Sequence, residues 1–328
     1  MSRLIVVGAS LGGVSALMQM AAALPADFPA PILAVLHVGE HRSSMPALLS
    51  RRSPLSVSHA EHEESLENGH IYLAPPDHHM LVFGSRILLS RHAKEHHTRP
   101  AVDPLFRSAA LAHGADVIGV VLTGGLDDGT AGLQAIKQRG GTAIVQDPRD
   151  AFAPGMPESA LKYVEVDHCL PLALIPRLMT SLASMPALRQ SIEPDPIVQH
   201  EQDLTLMKGD AMEHLRAIGS PSTFACPDCH GTLWSVEGAL PSRYRCHTGH
   251  GFTERTLQEA MEQASDEAAW SAVRALQERG KLLEQMSTRR AQEGDAPAAE
   301  RLRASAASLE AQVALLRKLL ENSQEHVE

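Results

Sequence analysis

Three side chains able to carry out acyl transfer stand where apolar runs end: Ser10, His37 and an aspartate of the Asp127-Asp128 pair. Ser10 lies in Gly8-Ala9-Ser10-Leu11-Gly12, after Leu4-Ile5-Val6-Val7 and before a helical pattern at Val14, Leu17, Met18 and Ala21. Gly-x-Ser-x-Gly between a strand and a helix is the setting of a nucleophile elbow. Its glycines let the chain turn sharply, and the helix N-terminus beside the serine can steady an oxyanion. A phosphate cradle uses similar turns, but the third glycine of Gly-x-Gly-x-x-Gly and the Lys-Ser/Thr pair of a P-loop are absent. His37 closes the run Ile32-Leu33-Ala34-Val35-Leu36, and Asp127-Asp128 follow Val117-Ile118-Gly119-Val120-Val121-Leu122. A serine is a poor nucleophile until a histidine takes its proton, and the histidine needs a carboxylate to hold its tautomer. The order Ser-His-Asp is not the Ser-Asp/Glu-His order of α/β-hydrolases. Taken singly, His37 also reads as a strand-end histidine bonded to backbone, and Asp128 as the N-cap of a helix over 129–139.

Those side chains meet only if the strands lie side by side. The runs above, with Thr142-Ala143-Ile144-Val145, are continuously apolar, as strands covered on both faces must be. Helical patterns over 14–24, 43–52, 104–113, 129–139 and 171–183 alternate with them. The expected fold class is α/β, a doubly wound, mostly parallel sheet, whose carboxyl strand ends share one edge. Between 57 and 91 the segments shorten, and Gly84-Ser85 marks an antiparallel hairpin attached to that sheet. Residues 1–188 form the expected catalytic domain. Residues 189–221, with Glu193-Pro194-Asp195-Pro196, form a linker with at most one short helix near 203–217.

A cysteine module follows over 222–254. Cys226-Pro227-Asp228-Cys229 and Cys246-His247-Thr248-Gly249-His250 have the spacing of a tetrahedral zinc site. The expected ligands are Cys226, Cys229, Cys246 and His250, with His247 as the alternative fourth. Four protein ligands leave no open position, so the zinc is expected to be structural, and catalysis to need no cofactor. Phe224, Leu233, Trp234, Tyr244 and Phe252 make a small core, so metal would supply most of the module's stability, about 10 kcal/mol. Residues 255–328 read as a helical hairpin that turns at Gly294-Asp295-Ala296-Pro297. Leu302, Leu309, Val313, Leu316 and Leu320 form a coiled-coil-like seam for docking or dimerisation. Cys169 reads as core. His59, His62, His78, His79, His92, His96 and His97 read as solvated loop and hairpin residues, with His78 and His79 nearest a substrate groove.

Charge narrows the function. Lys and Arg number 15 against 17 Asp and Glu over 1–190, and 14 against 22 over 191–328, so the acidity sits in the C-terminal part. That argues against nucleic acid as a partner. No run approaches the roughly 20 apolar residues of a membrane span, and no basic segment precedes a long apolar core at the N-terminus. A soluble, cytoplasmic protein without membrane insertion is expected, and its four cysteines suggest no disulfide framework.

Six blocks in order carry a family resemblance: Gly8-Ala9-Ser10-Leu11-Gly12-Gly13, the strand ending in His37, His70-Ile71-Tyr72-Leu73-Ala74-Pro75, Arg99-Pro100-Ala101-Val102-Asp103, Leu122-Thr123-Gly124 through Asp127-Asp128-Gly129, and Gly155-Met156-Pro157. Together, over residues 3 to about 184, they resemble the catalytic domain of CheB-type chemotaxis protein-glutamate methylesterases. The resemblance implies hydrolysis of γ-glutamyl methyl esters on chemoreceptor-type proteins, and glutamine deamidation beside it. It places the family's triad on Ser10, His37 and Asp128 and its oxyanion donors on the backbone N–H groups of Leu11 and Gly125. Gly125-Leu126-Asp127 replaces the family's usual Met-Gly-Asn, and Leu11 replaces a hydroxyl residue; backbone donors survive both changes. Familiar members also carry an N-terminal receiver domain, for which a nucleophile at residue 10 leaves no room, so the expectation is either a constitutively competent enzyme or control that lies elsewhere. The competing reading is a non-catalytic signalling adaptor built on the esterase fold, its tail recruiting partners.

Overall fold

The computed structural model describes residues 3–37, 43–187 and 192–324. The chain divides into two compact units, Met1–Leu257 and Gln258–Glu328. The first begins with β1 (Leu4–Ala9), α1 (Gly13–Ala22), β2 (Ile32–Leu36), α2 (Met45–Ser50), β3 (Ser56–His59) and β4 (His70–Leu73). There follow β5 (His79–Phe83), β6 (Arg86–Ser90), α3 (Val102–His113), β7 (Val117–Val121), α4 (Thr130–Gln138), β8 (Thr142–Gln146), α5 (Gly155–Tyr163), β9 (His168–Leu170) and α6 (Ile175–Ala183).

Seven strands form one sheet in the order β3-β4-β2-β1-β7-β8-β9, and every neighbouring pair is parallel. The doubly wound expectation holds, with a wholly parallel sheet. Side chains alternate along β1: Leu4 and Val6 join the core beneath α3, α4 and α5, while Ile5, Val7 and Ala9 join the core beneath α1, α2 and α6. Each such aliphatic side chain, fully buried, contributes about 2 kcal/mol. The strand order reverses between β1 and β7, the switch point at which open α/β sheets place their sites.

Several expectations need correction. The hairpin β5–β6 turns at Gly84-Ser85 as expected, but it forms its own two-stranded sheet rather than joining the large one. Its Met80, Val82 and Ile87 pack with Phe106 and Ala109, and Ser108 Oγ accepts the Val82 N–H at 3.0 Å. Helix α5 was not expected, because Gly155 and Pro157 look like breakers; both stand in its first turn, where proline costs no intrahelical bond. Cys169 is exposed, since β9 is the sheet's edge.

The linker reading also gives way. The expected boundary at 188/189 lies outside the described residues, and beyond it come two helices, α7 (Pro196–Thr205) and α8 (Ala211–Ile218). Asp195 caps α7 through the Ile197 N–H, with Pro196 at the first helical position, so the proline-rich stretch starts a helix. Asp210 caps α8 through the Met212 N–H. The antiparallel sheet β10 (Gly219–Ala225), β11 (Thr232–Val236), β12 (Arg243–Cys246) and β13 (Gly251–Thr253) completes this unit. Its core is shared with the helices through Leu204, Leu215, Ile218 and Val236, whereas Phe224 is exposed.

The second unit is an α-helical hairpin. Helix α9 (Glu254–Gln292) runs into it and α10 (Ala296–Gln324) returns after a turn at Gly294, where φ is +83°. Val313 and Leu320 of the expected seam pack with Val273, and Leu316 lies against them.

Candidate active site

The glycines on both sides of Ser10 are fixed by geometry. A Cβ on Gly8 would lie 2.4 Å from Val102, and Gly12 has φ +80° with Phe152 2.7 Å from where its Cβ would stand. The turn they permit leaves Ser10 just beyond β1, its N–H bonded to the Thr123 carbonyl at 2.9 Å. Thr123 Oγ1 donates to the Leu11 carbonyl at 2.9 Å and accepts from the Ala153 N–H at 2.8 Å. The serine turn is thus tied to the loops after β7 and β8.

His37 follows β2 and bridges the other two residues. Its Nε2 is 2.7 Å from Asp128 Oδ2, and its Nδ1 is 3.0 Å from Ser10 Oγ. With Nε2–H donating to the carboxylate, the Nδ1 lone pair is free to accept the serine proton. Asp128, not Asp127, faces His37. It does not cap α4, whose N-cap is Gly129. Instead its two oxygens accept the N–H groups of Val102 (2.7 Å) and Asp103 (2.9 Å) at the start of α3. The Arg99–Asp103 block therefore supplies the aspartate's anchor, a role its quoted motif did not disclose. Among the described residues, neither the Leu11 nor the Gly125 N–H has a hydrogen-bond partner, so both remain available as donors. Leu11 and Phe152 form an exposed apolar lip there.

Two of the histidines expected in solvent are buried. His79 accepts the Ala101 N–H at Nδ1 (3.2 Å) and faces the Ala93 carbonyl through Nε2 (3.0 Å). Burial pushes its imidazolium down to about 4. His96 is wedged against two carboxylates, 2.8 Å from Asp103 Oδ2 and 3.5 Å from Asp128 Oδ1. Burial would lower it, but the Asp128 charge and the Asp103 hydrogen bond hold it up at about 9. Burial likewise works to raise Asp128; charged His96, the His37 hydrogen bond and the Val102 N–H hold it down to about 2. Asp127 is pushed up by burial; its Oδ1 accepts from Thr253 Oγ1 at 2.8 Å and its Oδ2 has no hydrogen-bond partner.

These shifts give stability a pH optimum. His96, raised above its unfolded value near 6.5, contributes stability that is complete below pH 6.5 and lost as pH rises through about 9. His79, depressed, contributes above pH 6.5 and loses its share as pH falls toward about 4. Asp128 contributes above its unfolded value near 3.8 and loses its share as pH falls through about 2. Thermal melts are expected to peak near pH 6.5–7 and to fall on the alkaline side by an amount equivalent to about 3 kcal/mol at most. A melting temperature flat from pH 7 to 10 would contradict this.

The cysteine module brings its expected donors together. One ligand atom from each of Cys226, Cys229, Cys246 and His250 lies within 4.8 Å of the others. His250 Nδ1 is 3.4 Å from Cys246 Sγ, while its Nε2 faces Asp228 at 3.7 Å, the outer partner that a metal-bound imidazole ordinarily has. Asp228 Oδ2 is buried without a hydrogen-bond partner. His247 is exposed and lies over Gly231, outside the cluster. The donor set, three thiols and an imidazole, fits a tetrahedral divalent ion.

Residues 5–179 match the family model described as CheB methylesterase. A relative from Leptospira interrogans, named provisionally as a protein-glutamate methylesterase/protein-glutamine glutaminase, is 36% identical over 180 residues, 54% of this chain and 93% of that protein. An Anaeromyxobacter dehalogenans protein-glutamate methylesterase/protein-glutamine glutaminase is 38% identical over 179 residues, 54% of this chain and 52% of the relative. The crystal structure of the Thermotoga maritima CheB methylesterase catalytic domain superposes with a TM-score of 0.53 at 34% identity, covering 56% of this chain and 99% of that one.

Proposed function

The chain belongs to the CheB methylesterase family, and on that premise we propose that Ser10, His37 and Asp128 hydrolyse γ-glutamyl methyl esters of chemoreceptor-type proteins. The observation that carries this reading is the unbroken contact from Ser10 Oγ through His37 to Asp128, at 3.0 and 2.7 Å. Ser10 attacks the ester carbonyl while His37 Nδ1 takes its proton. The tetrahedral oxyanion is received by the Leu11 and Gly125 N–H groups. His37 returns the proton to the leaving methoxide, methanol departs, and a glutamyl ester on Ser10 remains. Water activated by His37 then frees the glutamate. With a glutamine side chain the same steps release ammonia. An oxyanion donor is typically worth about 3 kcal/mol of barrier.

Methanol release from a methylated receptor, with ammonia release from its glutamine form, tests the assignment. Absence of both from folded protein would favour the adaptor reading. No helix among the described residues is long and apolar enough to cross a membrane, which agrees with action on the cytoplasmic part of a receptor. Nucleic acid has no place in this reading.

Zinc belongs to it as a structural ion held by Cys226, Cys229, Cys246 and His250, joining the β10–β11 turn to the β12–β13 turn. The tail belongs to it as a docking or dimerisation element, with Leu282 and Leu315 exposed on the hairpin. Metal analysis of the purified chain is expected to return about one zinc per chain, and the solution mass of the same sample reports on the tail. Zinc-free protein with an unchanged circular dichroism spectrum and melt would refute the metal assignment; a monomer at high concentration would refute dimerisation.

A further inference from the structure

Behind the Ser10–His37–Asp128 contact lies a second row of polar residues, and half of it comes from the C-terminal side of the cysteine module. His96 Nε2 reaches Asp103 Oδ2 at 2.8 Å and Asp128 Oδ1 at 3.5 Å, while its Nδ1 is 3.3 Å from Thr256 Oγ1. The His96 N–H donates to the Gly251 carbonyl at 2.7 Å, the first residue of β13. Thr256 and Thr253 bind each other: the Thr253 N–H donates to Thr256 Oγ1 at 2.8 Å, and the two hydroxyls are 3.0 Å apart. Thr253 Oγ1 donates in turn to Asp127 Oδ1 at 2.8 Å. Arg255 reaches the Leu126 carbonyl at 3.4 Å.

The donors fall into one direction only. Thr253 gives its single hydroxyl proton to Asp127, so it can only accept from Thr256. The Thr256 proton is then committed to Thr253, and Thr256 Oγ1 can only accept from His96 Nδ1. His96 Nε2 already donates to Asp103. Both ring nitrogens therefore carry hydrogen, and His96 is a cation among Asp103, Asp127 and Asp128. Further out, buried Glu95 is paired by Arg107 and Arg245. Asp103 is itself fixed, its Oδ1 accepting the Gly132 N–H at 2.7 Å.

We propose that His96 is a positioning residue for the ester hydrolysis: clamped by Thr256 and Thr253, it fixes the rotamer of Asp128 and balances its charge, so the segment leaving the cysteine module completes the support of the active site. This rests on the methylesterase reading for its kinetic part only. The cation lies on the side of Asp128 opposite His37, and the two imidazoles share that carboxylate. Removing the cation leaves Asp128 more strongly attractive to a proton on His37. His37 then holds its proton to higher pH, and less of it is the free base that Ser10 needs.

The test compares the full chain with His96→Gln, whose amide keeps a donor but no charge, and with Thr256→Val and Thr256→Ser. Methanol release gives kcat/KM against pH, whose acid limb reports the free base. In parallel, the His37 imidazole is titrated by nitrogen-15 NMR, which needs no substrate. His96→Gln is expected to displace the acid limb and the His37 titration upward together by about one pH unit, a tenfold lower kcat/KM below the limb. Thr256→Val should move both in the same direction by less, and Thr256→Ser should restore them. If neither NMR nor kinetics shifts in folded His96→Gln, the proposal is overturned. A rate that falls equally at all pH values, with an unmoved His37 titration, also overturns it, since a merely structural residue acts that way. Should the chain release no methanol at all, the methylesterase reading fails, and the NMR shift alone still decides the role of His96. Wild-type titration in both Thr256 variants would remove the C-terminal segment from the support.

Discussion

Ser10→Ala is expected to lower methanol release by about 10⁶-fold, leaving only what the oxyanion donors and binding supply. Thr123 Oγ1, which is tied to the serine turn, cannot replace it, because it is spent on the Leu11 and Ala153 backbone. Asp128→Asn should cost about 10⁴-fold by a different route. An amide turned toward His37 presents N–H where Nε2–H now donates, which forces the proton onto Nδ1 and removes the acceptor for Ser10. Its single oxygen also cannot serve both the Val102 and Asp103 N–H groups, which now bind separate carboxylate oxygens. Because these residues act as one unit, the double variant should be no slower than Ser10→Ala. Asp127→Asn, which does not touch His37, should lose far less. Initial rates on a methylated receptor, with folding checked by circular dichroism, decide the matter. A Ser10→Ala protein retaining more than a few per cent of the rate would sink the nucleophile assignment.

The legible part of this site was the part written on strands. A buried parallel strand is a continuous apolar run, and the residue after it necessarily reaches the carboxyl edge of the sheet. Ser10, His37 and the Asp127-Asp128 pair could therefore be read from position, in advance of any contact, while Asp128 was singled out only by the family resemblance. The cysteine cluster was legible for a similar reason, since a Cys-x2-Cys turn and a Cys-x3-His turn each bring two donors together locally. His96 was illegible because burial of a histidine depends on partners from α3, the loop after β7 and the segment after β13, none of them nearby in sequence. The helices α7 and α8 were obscured by proline and charge, which mark linkers and helix starts alike. Only the capping geometry of Asp195 and Asp210 separates the two, and a cap shows itself only when the helix behind it has something to pack on.

Least visible of all was the charge cluster beneath the cysteine module, and it carries the largest expected effect on stability. Arg245 is 2% exposed and donates to Glu95 Oε2 at 2.9 Å, Glu201 Oε1 at 3.2 Å and the Gly249 carbonyl at 3.2 Å. Glu95 also receives Arg107 at 2.7 Å and Thr205 Oγ1 at 2.6 Å, and Glu201 receives Arg243 at 2.6 Å. In sequence these look like ordinary surface charges, yet they join the α3 region, α7 and β12 inside one unit. Burial works to raise both carboxyls, and the surrounding guanidiniums hold both below their ordinary range, Glu95 well below it. Arg245→Met keeps the apolar stem but removes the cation that bridges them. Breaking such a buried set typically costs 3–5 kcal/mol, so the melting temperature should drop by roughly 10 °C. The defect must depend on pH with a definite sign. In the wild type the depressed carboxyls stabilise above their unfolded value near 4.5 and lose that stabilisation as pH falls. In the variant they protonate more readily, so the gap between the two proteins should be widest at pH 7 and narrow toward pH 4.5. Arg245→Lys should recover only part of the loss, because one ammonium cannot fork between two carboxylates and a carbonyl. Melts of the full chain across that range test it: an Arg245→Met protein within about 1 °C of wild type at pH 7 would show that the cluster does not hold the cysteine module in place.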